Sequence, residues 1–180
     1  MAQTKKTDNH YLKDKIRIRE ENLPAAPVVL DCYAGNGVIW GTIQKNHPST
    51  PIKRVAIEKE RGKGQFHLEG DNTKFLLSLD LGKFNVIDLD AYGVPYQQLK
   101  IIFDRGYRGL VFVTFIQSFM GRLPSGMLCE VGFSRAMINK APTLCNHHGW
   151  EYFLQFLARR GVQRISYVNH QRKYYGYFRI

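Results

Sequence analysis

Acids and glycines stand directly after apolar runs in this chain, in patterns that could do chemistry. In VVLDCYAGNG, Asp31 closes an apolar run, and Gly35 and Gly37 follow shortly after it. Two glycines so placed let the backbone turn sharply and approach a ligand closely. A carboxylate beside them suits a cationic ligand and would repel a pyrophosphate. A dinucleotide would also need G-x-G-x-x-G at a helix start, and here Trp40 stands where the third glycine belongs, with Gly41 one residue late. Glu58 closes RVAIE. An acid there can accept both hydroxyls of a ribose as charge-assisted hydrogen bonds. In EGDN, Asp71 is a further ligand candidate and Asn72 is expected to cap the next helix. DLDAYGVPY puts Asp88 and Asp90 at the end of a buried run, followed by Tyr92, Gly93, Pro95 and Tyr96. Two carboxylates buried at a strand end are costly unless satisfied, and functional sites carry such costs more often than surfaces do.

These residues need elements to hold them. Short apolar runs at 28–33, 54–58, around 66–68, at 84–90 and at 109–116 read as strands. Helical spacing appears at 38–45, 72–81, 96–105, 125–140 and 150–160, the last with Trp150, Phe153, Leu154 and Leu157 on one face. RISYVNH and KYYGYFRI form a hairpin signal. KIRIRE alternates, which suggests an edge strand or an ordered arm. Strands alternating with helices imply an α/β fold with a mostly parallel sheet, closed by an antiparallel hairpin. Ligands in such sheets sit beyond the carboxyl ends of the strands, where the acids and glycines lie. The expected organisation is a charged arm over 1–23 and one catalytic domain over 24–180, with a helical insertion at about 121–149.

LDCYAGNG resembles the first motif of class I S-adenosylmethionine (SAM)-dependent methyltransferases. Amino-directed members carry (N/D/S)-P-P-(Y/F) after the fourth strand. There a carboxylate and backbone carbonyls accept the N–H bonds of a poorly nucleophilic exocyclic amine, and an aromatic ring stacks on the base. DLDAYGVPY is similar to D-(L/I)-D-P-(F/Y)-G-(S/T)-P of the tRNA guanine-N2 dimethyltransferase family, with Ala91 in place of the proline and Val94 in place of a small hydroxyl residue. The resemblance spans about residues 28–116 and leaves out the family's large C-terminal RNA-binding region. It implies a Rossmann-like fold with a seven-stranded, mostly parallel sheet and helices on both faces. It implies SAM as cofactor, held by Asp31, Tyr33, Gly35, Gly37, Glu58, Asp71, Asn72 and Asp88. Asp90 and Tyr92 are the implied catalytic pair, and Pro95 and Tyr96 the substrate side.

Composition sets the partners. The net charge of +11 over 180 residues favours a polyanion, and 10 Tyr with 11 Phe offer rings on which bases stack. HQRKYYGYFR mixes both, and reads equally as a nucleic-acid contact or as a strand whose cations guard a sheet edge. Three cysteines, Cys32, Cys129 and Cys145, lack framework or zinc spacing, so neither disulfides nor a metal are expected. No run reaches the ~18–20 apolar residues of a membrane helix. The polar start MAQTKKTDNH lacks a secretory apolar stretch. The expectation is a cytoplasmic RNA-binding N-methyltransferase active in tRNA modification. A DNA adenine or cytosine amino-methyltransferase and, given Ala91, a degenerate methyltransferase-fold RNA-binding module are the alternatives. Oligomeric state is left open.

Overall fold

The computed structural model describes residues 11–60, 67–117 and 121–180. Residues 1–10 of the expected arm, and Phe66 of the expected third strand, lie outside that set.

Seven strands form one sheet: β1 (Val28–Asp31), β2 (Lys53–Glu58), β3 (Leu68–Glu69), β4 (Val86–Leu89), β5 (Leu110–Ile116), β6 (Ile165–His170) and β7 (Lys173–Arg179). Their order is β3-β2-β1-β4-β5-β7-β6. The first five run parallel, and β7 pairs antiparallel with both β5 and β6. The chain reverses direction of travel across the sheet between β1 and β4, which opens a crevice above their carboxyl ends. The helices are α1 (Leu12–Glu20), α2 (Val38–Asn46), α3 (Asn72–Ser78), α4 (Tyr96–Asp104), α5 (Ser125–Glu130), α6 (Arg135–Lys140) and α7 (Gly149–Arg159).

The two-residue period of the strands divides the core. Leu30, Ile57, Ile87, Leu89, Val111, Val113 and Phe115 face one way, onto a cluster that includes Leu76, Leu99, Ile102, Met127, Phe153 and Phe156 of α3, α4, α5 and α7. Val29, Val86, Leu110 and Phe112 face the other way, onto Ile18 of α1 and Trp40 and Ile43 of α2. Asp31, Asp88 and Asp90 share the register of this second set, so these acids face the α1–α2 layer.

Three expectations are corrected here. KIRIRE is helix, not edge strand: its inward residues are Lys15, Ile18 and Arg19, at helical spacing. Two of the three are cations, so a search for apolar periodicity sees only Ile16 and Ile18. The helix expected over 125–140 is two short ones, broken at Gly132 (φ 112°), with Ser134 accepting the Met137 N–H to cap α6. The basic, aromatic C-terminal run is no sheet edge: β7 lies inside the sheet between β5 and β6, with Tyr175 and Phe178 buried.

Candidate active site

The glycine turn after β1 has the backbone its sequence suggests. Gly35 (φ 50°) and Gly37 (φ 69°) both occupy the left-handed region, where a side chain is strained. A Cβ on Gly35 would meet nothing within 4 Å, so its outer side is open to a ligand. Gly37 caps α2 without any side-chain bond. The turn is tied to β2, because the Gly35 N–H donates to Glu58 at 2.7 Å. The other Glu58 oxygen accepts the N–H groups of Lys59 and Glu60 at 2.8 and 2.9 Å. A carboxylate has about four lone-pair sites, so Glu58 is fixed in place and still has acceptor capacity.

A cavity of about 240 Å³ lies at the carboxyl ends of β1, β2 and β3. Tyr33, Glu58, Asp71 and Asn72 line it, with Gln97 and Gln98 from the first turn of α4 on the opposite wall. The structure thus brings together four of the residues expected at the cofactor. Desolvation pushes the Tyr33 phenol up to about 12, so it stays a neutral ring at the wall. The cap expected of Asn72 belongs to Asp71, whose carboxylate accepts the Thr73 N–H and hydroxyl. These bonds hold Asp71 below its usual carboxylate range. Asn72 instead donates to the Cys32 carbonyl at 2.8 Å and accepts from Gln98 at 2.9 Å, bracing the floor of the cavity.

The acids at the strand ends have separate environments. Asp88 is 1% exposed, and both its oxygens are taken: Arg19 donates through Nε and Nη2 at 2.7 and 2.6 Å, and Trp40 through Nε1 at 2.8 Å. It is a lock between α1, α2 and β4. Burial opposes the Arg19 charge, but Asp88 beside it raises the guanidinium well above its ordinary value. Asp31 has weaker partners, the Tyr33 N–H at 3.4 Å and Arg54 Nη1 at 3.7 Å. Burial first, and the nearby Asp88 charge second, push it up to about 8.

Asp90 sits just past β4. Lys15 of α1 donates to its Oδ2 at 2.9 Å, and the Thr114 hydroxyl of β5 donates to its Oδ1. Burial works against its charge, but Arg19, Lys15 and Thr114 outweigh this and hold it below the usual carboxylate range. Tyr92, two residues on, is 84% exposed. Its loop is pinned where the Ile116 N–H donates to the Gly93 carbonyl at 2.9 Å. Pro95 and Tyr96, expected on the substrate side, are buried. Tyr96 opens α4 on its core face with Leu99 and Ile102, stacks edge-on against Phe156, and donates to Glu130 at 2.7 Å. Lys15, Thr114 and the two glutamines escaped sequence reasoning, because only the three-dimensional packing puts them at these strand ends; Arg19, which the sequence offers with Arg17 as a basic rim of the site or a solvated edge, is instead buried on Asp88. Among the described residues, no group of three or more His, Cys, Asp or Glu could hold a metal, and no helix is long and apolar enough to cross a membrane.

The strand order, the glycine turn over β1, the acid closing β2 and the cavity beside them define the class I methyltransferase fold. No family model matches the chain, and no curated protein matches it either. Solved structures do. Trm1 of Pyrococcus horikoshii, in complex with S-adenosyl-L-methionine, is similar at a TM-score of 0.56 and 17% identity, over 93% of this chain and 54% of that one. SAH-bound Podospora anserina methyltransferase PaMTH1 is similar at 0.53 and 14%, over 95% and 78%. M. jannaschii TYW2 in complex with AdoMet is similar at 0.52 and 10%, over 97% and 76%. The chain thus spans about half the length of the Trm1 chain it matches.

Proposed function

We propose that this protein is a SAM-dependent N-methyltransferase acting on an exocyclic amine of a nucleic-acid base, in RNA before DNA. The observation that carries the reading is the pairing just past β4: a fixed carboxylate, Asp90, two residues from a solvent-facing ring, Tyr92, at the same carboxyl end of the sheet as a cavity lined by Glu58 and Asn72. The similarity to SAM-bound structures, Trm1 among them, supports the cofactor.

The residues present suit that cofactor. Glu58 keeps acceptor capacity for ribose hydroxyls, Tyr33 and Ile57 give the cavity an apolar side, and the open face of Gly35 allows close approach. The nearest cation to Asp31 is Arg54 at 3.7 Å, and an ammonium group bound closer would favour its charged form. Bound there, SAM contributes an electrophilic methyl group. Asp90 would accept an N–H of the target amine and orient its lone pair for in-line attack; as the N–C bond forms, the sulfonium S–C bond breaks, S-adenosylhomocysteine leaves, and the proton of the methylated amine passes to water. Asp90 is a weak base, so its contribution is orientation and charge stabilisation rather than proton storage. Tyr92 offers a ring face to the base. The net charge of +11 supports a polyanionic substrate.

Transfer of labelled methyl from SAM to total tRNA, ribosomal RNA and genomic DNA, side by side at low salt, tests the reading. DNase-resistant label in one RNA class is the expected result. Asp90→Ala should abolish it while SAM affinity is kept. Label confined to DNA would replace RNA as substrate. No label in any pool, with SAM bound, would overturn the reading.

A further inference from the structure

The carboxylate that orients the amine in this reading is already engaged. Lys15 Nζ lies 2.9 Å from Asp90, with only 10% and 14% of the two side chains exposed. Lys15 reaches this point from α1, across 75 positions of sequence. Its own place is defined: the ammonium sits over the Tyr175 ring, 5.1 Å from the centroid. One turn further along, Arg19 grips Asp88 with two bonds. The preceding residue, Asp14, pairs with His170 at 2.8 Å, and Tyr11, one turn back, stacks on the same imidazole at 3.8 Å. α1 is therefore clamped at both ends, and Lys15 is held rather than swinging.

A buried ion pair is a poor way to stabilise a fold, since desolvation takes back most of the attraction. A strand end that needed stability alone would do better with apolar residues. Lys15 and Thr114 together take two of the roughly four acceptor sites of Asp90. The remaining capacity belongs to a carboxylate that cannot rotate. We propose that Lys15 is a positioning residue of the methyl-transfer site, holding Asp90 as a fixed acceptor for the target amine and making α1 part of the catalytic unit. This rests on the role given to Asp90 above.

The charged and polar groups acting on Asp90 are Lys15 and Arg19 from α1 and Thr114 from β5, with Tyr175 of β7 under the Lys15 ammonium, while Asp31 at the end of β1 and Asp88 of β4 act on the same Arg19. Lys15 is one of the cations that lower the affinity of Asp90 for a proton. Its removal therefore raises that affinity, and the acid side of the activity profile moves to higher pH.

The test compares wild type, Lys15→Met, Lys15→Arg and Asp90→Ala in methyl transfer across pH ~3 to ~9, with SAM affinity measured by calorimetry. Lys15→Met should lower kcat ~10-fold or more, leave KM and SAM affinity within ~2-fold, and move the acid limb to higher pH. Lys15→Arg should restore both rate and limb. Carbon-13 titration of the Asp90 carboxyl in wild type and Lys15→Met should show the same upward move without any turnover. An unmoved limb and carboxyl titration would overturn the proposal, as would loss of activity that Arg does not rescue. Faster transfer by Lys15→Met would make Lys15 a plug on the acceptor and also overturn it. If Asp90→Ala stays active, the function reading itself fails; if Asp90→Ala is dead and Lys15→Met is normal, only the role of Lys15 fails.

Discussion

Asp31 holds its proton at neutral pH because its surroundings stabilise the neutral form. Burial is the main cause, the Asp88 charge adds to it, and Arg54 and Arg19 offset only part. The folded pKa of about 8 lies above the unfolded value of about 3.8, so between these values the native state binds the extra proton. Stability from this group is full below pH ~4 and is lost as pH rises through ~8. Asp31→Asn removes the titration. Thermal melts should therefore show the variant gaining on wild type from pH ~5 to ~8, and a constant difference between the two proteins would refute the assignment. Glu58 makes a separate prediction. Glu58→Ala should weaken SAM binding by about 1.5–3 kcal/mol, the scale of lost hydrogen bonds to a charged group. Calorimetry with unchanged affinity would remove Glu58 from the ribose site.

α1 is held to the sheet through polar bonds as much as through apolar contact. Arg19 and Asp88, 2% and 1% exposed at the side chain, form its central pair. Arg19→Met leaves Asp88 buried with only the Trp40 N–H, so it should cost about 3–5 kcal/mol in urea unfolding. The double variant Arg19→Met with Asp88→Leu should recover much of this, because no charge is then stranded. A single-variant loss below about 1 kcal/mol would mean that water reaches Asp88. The hairpin offers a second element-scale test. Gly176 of β7 faces the backbone of β6: a Cβ there would lie 2.9 Å from the Ser166 carbonyl oxygen and 3.1 Å from the Tyr167 Cβ. A strand paired on both sides cannot easily give way, so Gly176→Ala should destabilise by about 1–3 kcal/mol. An unchanged urea midpoint would show that β6 can shift.

At the scale of the molecule, a charge of +11 acts before any specific contact. It raises encounter rates with polyanions and ties affinity to salt through counterion release. With about six phosphate contacts, binding to an unstructured RNA should fall roughly 300-fold between about 50 and 200 mM salt. A flat log–log plot of affinity against salt would show that the cations do not form the interface. In the proposed function, the solvent-facing Tyr92 is the ring that an unstacked base would meet.

The sequence by itself determined the parallel sheet, the antiparallel hairpin, the turn at Gly35 and Gly37, and the acids that close β1, β2 and β4. These are local signals: apolar runs that end on a small or charged residue mark buried strands and the loops beyond them. Only the tertiary structure decided what each acid does. Asp88 and Asp90 look alike in DLDAYG, yet one is locked by Arg19, 69 positions away, and the other keeps acceptor capacity beside Lys15. Tyr96 follows the motif closely enough to suggest a substrate contact, and the helical period turns it into the core. α1 was hidden for the same reason. Its inward face carries Lys15 and Arg19, which read as surface until partners from distant strands neutralise them, and such pairing at long sequence separation leaves no periodicity to read.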